Sequence, residues 1–123
     1  MTTDDSAAAR DPSPAGAFPP LPICWPGLSP KQRKQRLDEL TTWVAWLTDR
    51  YRLDHRTVPT CWRQHGEIIE ELSALATAWH TAHSTRPDSY TPLHWHTDLT
   101  YTRRRLTEWI AHRGCRPDQH RAH

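Results

Sequence analysis

One stretch constrains the fold more than any other. Residues 61–79 read Cys-Trp-Arg-Gln-His-Gly-Glu-Ile-Ile-Glu-Glu-Leu-Ser-Ala-Leu-Ala-Thr-Ala-Trp. Trp62, His65, Ile68, Ile69, Leu72, Leu75, Ala76 and Trp79 recur at steps of three and four, the spacing of one helical face. Glu67, Glu70, Glu71 and Ser73 lie mostly off that stripe. A helix of this kind cannot bury its stripe alone, and two further periodic stretches flank it. The chain must therefore pack helix on helix.

The first helix opens on a clean signal. Ser29 is a good N-cap and Pro30 suits the first helical position. Leu37, Leu40, Val44, Leu47 and Tyr51 form its stripe, widened by Trp43 and Trp46. A turn follows over 54–59, and Pro59 disfavours helix at Val58. Thr60 is then the expected N-cap of the second helix. Gly66 falls inside that helix, where glycine costs about 1 kcal/mol relative to alanine. Close approach of another helix or a bulky ring would account for it. Residues 84–90 form the second loop, after which Thr91 is the expected cap of the third helix and Pro92 its first residue. Trp95, Leu99, Leu106, Trp109 and Ile110 continue a three-four stripe, with Thr102 and Arg103 in the gap. Gly114 suits the position just past the helix end. The expected helices are 30–52, 60–83 and 92–112, in an all-α antiparallel three-helix bundle.

The ends read differently. Residues 1–20 are rich in proline and alanine and are expected to be disordered. Residues 21–28 are apolar enough to pack as an extended arm carrying Trp25, and 116–123 read as a loose tail. The folding unit is thus one domain over 21–115. So small a domain has a thin core, and Leu, Ile and Val are sparse. Seven tryptophans make up part of the deficit. Trp62, Trp79, Trp95 and Trp109 are expected in the core.

Charge is weak overall, at +2, but unevenly placed. Residues 29–52 carry six Lys or Arg against three acids, 53–86 three against four, and 87–123 six against four. The basic surplus therefore sits on the first and third helices. Lys31, Arg33, Lys34 and Arg36 fill the opening turns of the first, where cations oppose the helix dipole. Arg103, Arg104 and Arg105 fan around the third. These seven are the candidate interaction residues, for an acidic protein surface or for phosphates. A pI of about 8.6 is modest for a nucleic-acid binder. The three cysteines come without an apolar leader, and no run approaches membrane-span length. Reduced thiols in the cytoplasm, and no membrane, are the expectation.

Two chemistries deserve weighing. Cys61 and His65 are four apart, and His112 and Cys115 three apart, on helices whose start and end share one end of an antiparallel bundle. Zinc accepts such ligands, yet neither pair matches an established zinc signature. Cys61 and His65 also supply the parts of a thiolate–imidazole pair, without a third orienting residue or an oxyanion loop. No Gly-rich phosphate loop is present. The expectation is no metal, no cofactor and no catalytic residue, with His65 a hydrogen-bonded structural histidine.

The series Trp43-Val-x-Trp46-Leu, Cys61-Trp-x-x-His65-Gly, Glu71-Leu-x-Ala-Leu75, Ala78-Trp79, Trp95-His96-x-x-Leu99 and Leu106-x-x-Trp109 resembles a family of small uncharacterised actinobacterial proteins. They are found around plasmids, prophages and integrated conjugative elements. More distantly it resembles a domain with a Cys-x-x-Trp-Trp-x-His core in the same setting. The resemblance covers roughly 22–115 and implies a genomic setting rather than a reaction. The functional expectation is a non-enzymatic accessory protein of a mobile element that binds another macromolecule, a protein first and nucleic acid as the alternative. A small metal- or thiol-dependent protein is the reading from a different class.

Overall fold

Ser29 and Pro30 start the first helix as their residue types require. The Ser29 hydroxyl accepts from the Gln32 N–H at 3.2 Å, and Gln32 Oε1 accepts from the Ser29 N–H at 2.9 Å. This reciprocal box satisfies two amide donors that a helix start leaves without partners. In the computed structural model, which describes residues 21–83 and 89–114, the chain is an all-α three-helix bundle. Helix α1 spans Pro30–Tyr51, α2 Gly66–Ala82 and α3 Thr91–Arg113. The tails 1–20 and 116–123 and most of the second loop lie outside the described residues.

The second helix starts six residues later than its stripe suggests. Trp62–Gln64 is a turn of 3-10 helix, and His65 is extended at φ −122°, ψ 111°. Thr60 is therefore not the cap of α2; His65 is, without a side-chain cap bond. Gly66 is the first residue of the helix rather than an interior one, and a Cβ built on it meets nothing within 4 Å. No ring or helix presses on it, so the close-approach explanation fails. Glu67 sits in the first turn, where a carboxylate suits the dipole.

The third helix keeps its predicted ends to within a residue. Tyr90, not Thr91, is the cap residue. The Thr91 hydroxyl instead donates to the Ala82 carbonyl at 3.0 Å, tying the start of α3 to the end of α2. Gly114 adopts φ 80° and its N–H closes on the Ile110 carbonyl at 2.8 Å, the left-handed ending that glycine favours.

α3 runs antiparallel to both other helices. The Trp95 indole donates to the Leu75 carbonyl at 3.1 Å, and Arg113 pairs with Glu67 at the opposite end. Tyr51, the last residue of α1, meets Trp95 and His96 near the start of α3. α1 and α2 run in the same general sense. Arg63, just before α2, bonds Asp38 and Thr41 in the first half of α1, while Trp46 packs on Trp79 near both C-terminal ends. The connection between them is what permits this. It folds back alongside α1 with Thr57, Val58 and Pro59 buried, held by an Asp54 carboxylate on the Arg56 N–H.

The core lies on the three facing stripes: Leu37, Leu40, Trp43, Val44 and Leu47 of α1, Ile68, Ile69, Leu72, Leu75, Ala76 and Trp79 of α2, and Trp95, Leu99, Leu106 and Ile110 of α3. Trp62 is buried ahead of α2, and Trp25 seals one side from a 3-10 turn, not an extended arm, at Trp25–Gly27. Trp109 is the exception among the tryptophans assigned to the core, at 39% exposed. It stands about 100° around the helix from Ile110, and the stripe selects Ile110, with Thr102 buried in the gap.

Candidate interaction surface

The Cys61–His65 pair forms, though not on one helix. The 3-10 turn between them curls the chain so that Cys61 Sγ lies 3.6 Å from His65 Nε2. Both residues are buried, His65 at 4% exposed, and the His65 carbonyl accepts from the Ile68 and Ile69 amides as α2 begins. The histidine thus has a hydrogen-bond partner in a site that would otherwise charge a desolvation penalty. Of the other two members of the candidate metal set, His112 is exposed and Cys115 lies outside the described residues. Among the described residues no group of three or more His, Cys, Asp or Glu stands in metal-holding geometry.

Of the seven candidate cations, three are taken up by carboxylates. Lys34 bonds Asp38 at 2.8 Å, Arg36 bonds Glu39 at 2.8 Å, and Arg105 reaches both oxygens of Glu71 at 2.9 and 3.0 Å. Lys34, then Arg63, holds the Asp38 carboxyl below its ordinary range. Lys31, Arg33 and Arg103 are exposed, with no ion pair among the described residues. Arg104 is exposed and lies over the Tyr101 ring, 5.6 Å from its centroid. Seven cations on paper thus leave four without a carboxylate partner among the described residues, divided between α1 and α3, and a basic footprint thinned in this way offers few phosphate contacts.

The remaining perturbed groups sit at the bundle ends. Burial pushes the Glu67 carboxyl up, but its own backbone N–H and the Arg113 guanidinium outweigh burial and hold it below the ordinary value. At the other end, burial and then the neighbouring His83 hold His80 below the ordinary imidazole range. His80 Nε2 is enclosed without a hydrogen-bond partner among the described residues.

Five large hydrophobic side chains stand exposed: Leu21 at 70% on the arm, Tyr90 at 65% just ahead of α3, and Leu93 at 62%, Tyr101 at 52% and Trp109 at 39% on α3. Those on α3 number three. They sit eight residues apart, each turned about 80° from the next, so that Tyr101 faces away from Trp95, Leu99, Leu106 and Ile110 while Leu93 and Trp109 stand on its two flanks. A sequence reading can miss them because the tryptophan is drawn into the core stripe and the other two carry no motif. The signal that finds them is their eight-residue spacing off that stripe.

Two grooves flank the small residues Ala74 and Ala78 on α2. One, of about 290 Å³, lies between α2 and the arm and is walled by Pro22, Ile23, Glu70, Ser73 and Thr77. The other, of about 200 Å³, lies toward α3 and is walled by Glu71, Asp98, Tyr101, Thr102 and Arg105. Both are small and open beside the enclosed clefts that hold small ligands, and neither contains Cys61 or His65. No described helix is long and apolar enough to cross a membrane. No family model, curated protein or solved structure matches the chain.

Proposed function

We propose that this chain is a non-enzymatic interaction protein that binds another protein through the solvent face of α3. The observation that carries the proposal is the exposure of Leu93, Tyr101 and Trp109 on the solvent-facing half of one helix. Exposed apolar side chains gathered on one face and edged by charge mark contact sites, and aromatic and arginine side chains are enriched at protein interfaces. Arg104 stacked on Tyr101 is such a combination. The motif series of the Trp-rich helices supports placing the protein as an accessory component of a mobile genetic element, acting in the cytoplasm. Nucleic acid is the weaker alternative, because Lys34, Arg36 and Arg105 already serve carboxylates.

The test is affinity capture with the full chain from cells of its source, repeated with two variants. One replaces Leu93, Tyr101 and Trp109 by serine, and the other replaces Lys31, Arg33, Arg103 and Arg104 by glutamine. A protein retained by wild type and by the glutamine variant, and lost with the serine variant, is the expected result. Retention of DNA or RNA that disappears with the glutamine variant and falls steeply with salt would replace this reading by the nucleic-acid one.

A further inference from the structure

Two hydroxyls on α2 have nothing to bond to, and both residues line the same groove. Ser73 is 3% exposed, and its hydroxyl makes no hydrogen bond among the described residues. Thr77 stands four residues on, and its Oγ1 is enclosed without a partner. The groove, of about 290 Å³, is flanked by Ala74 and Ala78 on α2 and walled by Pro22 and Ile23 on the arm. A buried hydroxyl without a partner destabilises a fold, so an occupant that supplies acceptors is favoured here.

The spacing of the two residues selects the kind of occupant. Residues four apart on a helix advance about 6 Å along its axis and lie about 40° from each other around it. In an extended chain the carbonyls on one side recur every second residue, about 6.6 Å apart. A stretch of extended backbone laid along α2 therefore offers one acceptor to each hydroxyl. Proline-rich backbone suits this, since a proline offers a carbonyl and no N–H that would need a partner in turn.

The described chain begins at this groove. Leu21 is its first residue and Pro22 is part of the wall, so whatever precedes Leu21 leaves from the groove's edge. Residues 12–20 read Pro-Ser-Pro-Ala-Gly-Ala-Phe-Pro-Pro, with no charge and the chain's only phenylalanine. We infer that the groove is the seat of the chain's own residues 13–20, extended along α2, with Phe18 against Ala74 and Ala78 and backbone carbonyls accepting from Ser73 and Thr77. Phe18 is three residues from Leu21, about 10 Å of extended chain, within reach of a groove that Pro22 already walls. A proline-rich segment loses little freedom on docking, and its attachment to the wall keeps it at high effective concentration. Residues 13–20 thereby take on an order that their composition alone does not predict. The seat does not involve Leu93, Tyr101 or Trp109, so it stands or falls separately from the α3 contact.

The single phenylalanine makes a direct test possible. In the full chain labelled on phenylalanine and alanine, nuclear Overhauser contacts from the Phe18 ring to the Ala74 and Ala78 methyls are expected, at an intensity independent of protein concentration. Urea melts give a second readout. Ser73→Ala in the full chain is expected to lower the folding equilibrium constant about two- to tenfold, the effect of losing one hydrogen bond. Combined with Phe18→Ser, which releases the segment, the same substitution is expected to be neutral or stabilising, because the hydroxyl it removes then has no partner. A Phe18 ring without contacts to Ala74 or Ala78 would overturn the inference and leave the groove to a foreign peptide. Contacts that form only between differently labelled copies would overturn it in favour of a second chain's segment. A Ser73→Ala effect that is the same with and without Phe18 would overturn the proposed hydrogen bond and with it the seat.

Discussion

Gly66→Ala is expected to stabilise this protein, although a glycine flanked by a buried histidine and the start of a core helix looks indispensable. Three observations set the sign. Gly66 is the first residue of α2, its φ is not positive, and an added Cβ meets nothing within 4 Å. The methyl therefore neither clashes nor packs, and the effect comes from the unfolded chain, which loses backbone freedom. At a compatible position that is worth about 0.4–1 kcal/mol. In a domain of this size each kcal/mol moves the midpoint by about 4–8 °C, so a rise of about 2–8 °C is expected. Thermal and urea melts followed by circular dichroism measure it directly. Gly114→Ala is the control, because its φ of 80° strains any side chain. It should lower stability by about 1 kcal/mol. A Gly66→Ala protein that melts at or below wild type would refute the reasoning and restore the view that something packs against this position.

The two tryptophans of α3 should part company. Trp95→Ala removes a ring that is 1% exposed and hydrogen-bonded to Leu75, at a cost of about 3–5 kcal/mol, whereas Trp109→Ala, at a residue 39% exposed, should cost at least about 1 kcal/mol less; equal losses in urea melts would contradict the placement of Trp109. The fold should also weaken in mild acid. Because the folded-state pKa of His80 lies below the ordinary 6.5, its contribution is complete above that pH and is lost as pH falls through it. Stability measured on either side of that pH should fall, and His80→Gln should flatten the fall; an unchanged slope in the variant would assign it to another group.

What the residues disclosed, and what they hid, divides along a physical line. Local chemistry was legible: the Ser29–Pro30 start, the Gly114 ending, and the stripes that bury Leu40, Leu72 and Leu106. Each depends on residues within a turn or two of one another. The start of α2 was harder, because Trp62 and His65 continue the helical spacing while the backbone there is a 3-10 turn and an extended residue. A side-chain pattern reports which residues face inward, and a curled turn ahead of a helix can satisfy it equally well. Trp109 failed for a related reason. It and Ile110 are adjacent, only one can face the core, and the choice belongs to the neighbouring helices. The surface of α3 was least visible, since neither Leu93 nor Tyr101 carries a motif. The seven candidate cations needed the structure to separate those held by Asp38, Glu39 and Glu71 from those left in water.

The buried connection between α1 and α2 acts as a selector of threading. Three amphipathic helices of similar length can be wound with α2 running up or down, and both windings bury the same stripes. Returning from Tyr51 to the level of Thr41, which Arg63 contacts, means retracing about 15 Å of helix. An extended chain needs about five residues for that. The segment from Arg52 to Arg63 has twelve, and the surplus is what lets Thr57, Val58 and Pro59 fold inward. With a connection of three or four residues the return is out of reach. α2 would then descend beside α1, and Trp46 would face the start of α2 in place of Trp79. The arrangement of this bundle is carried by its punctuation, and a deletion that touched no helix would rewrite which helices are neighbours end to end.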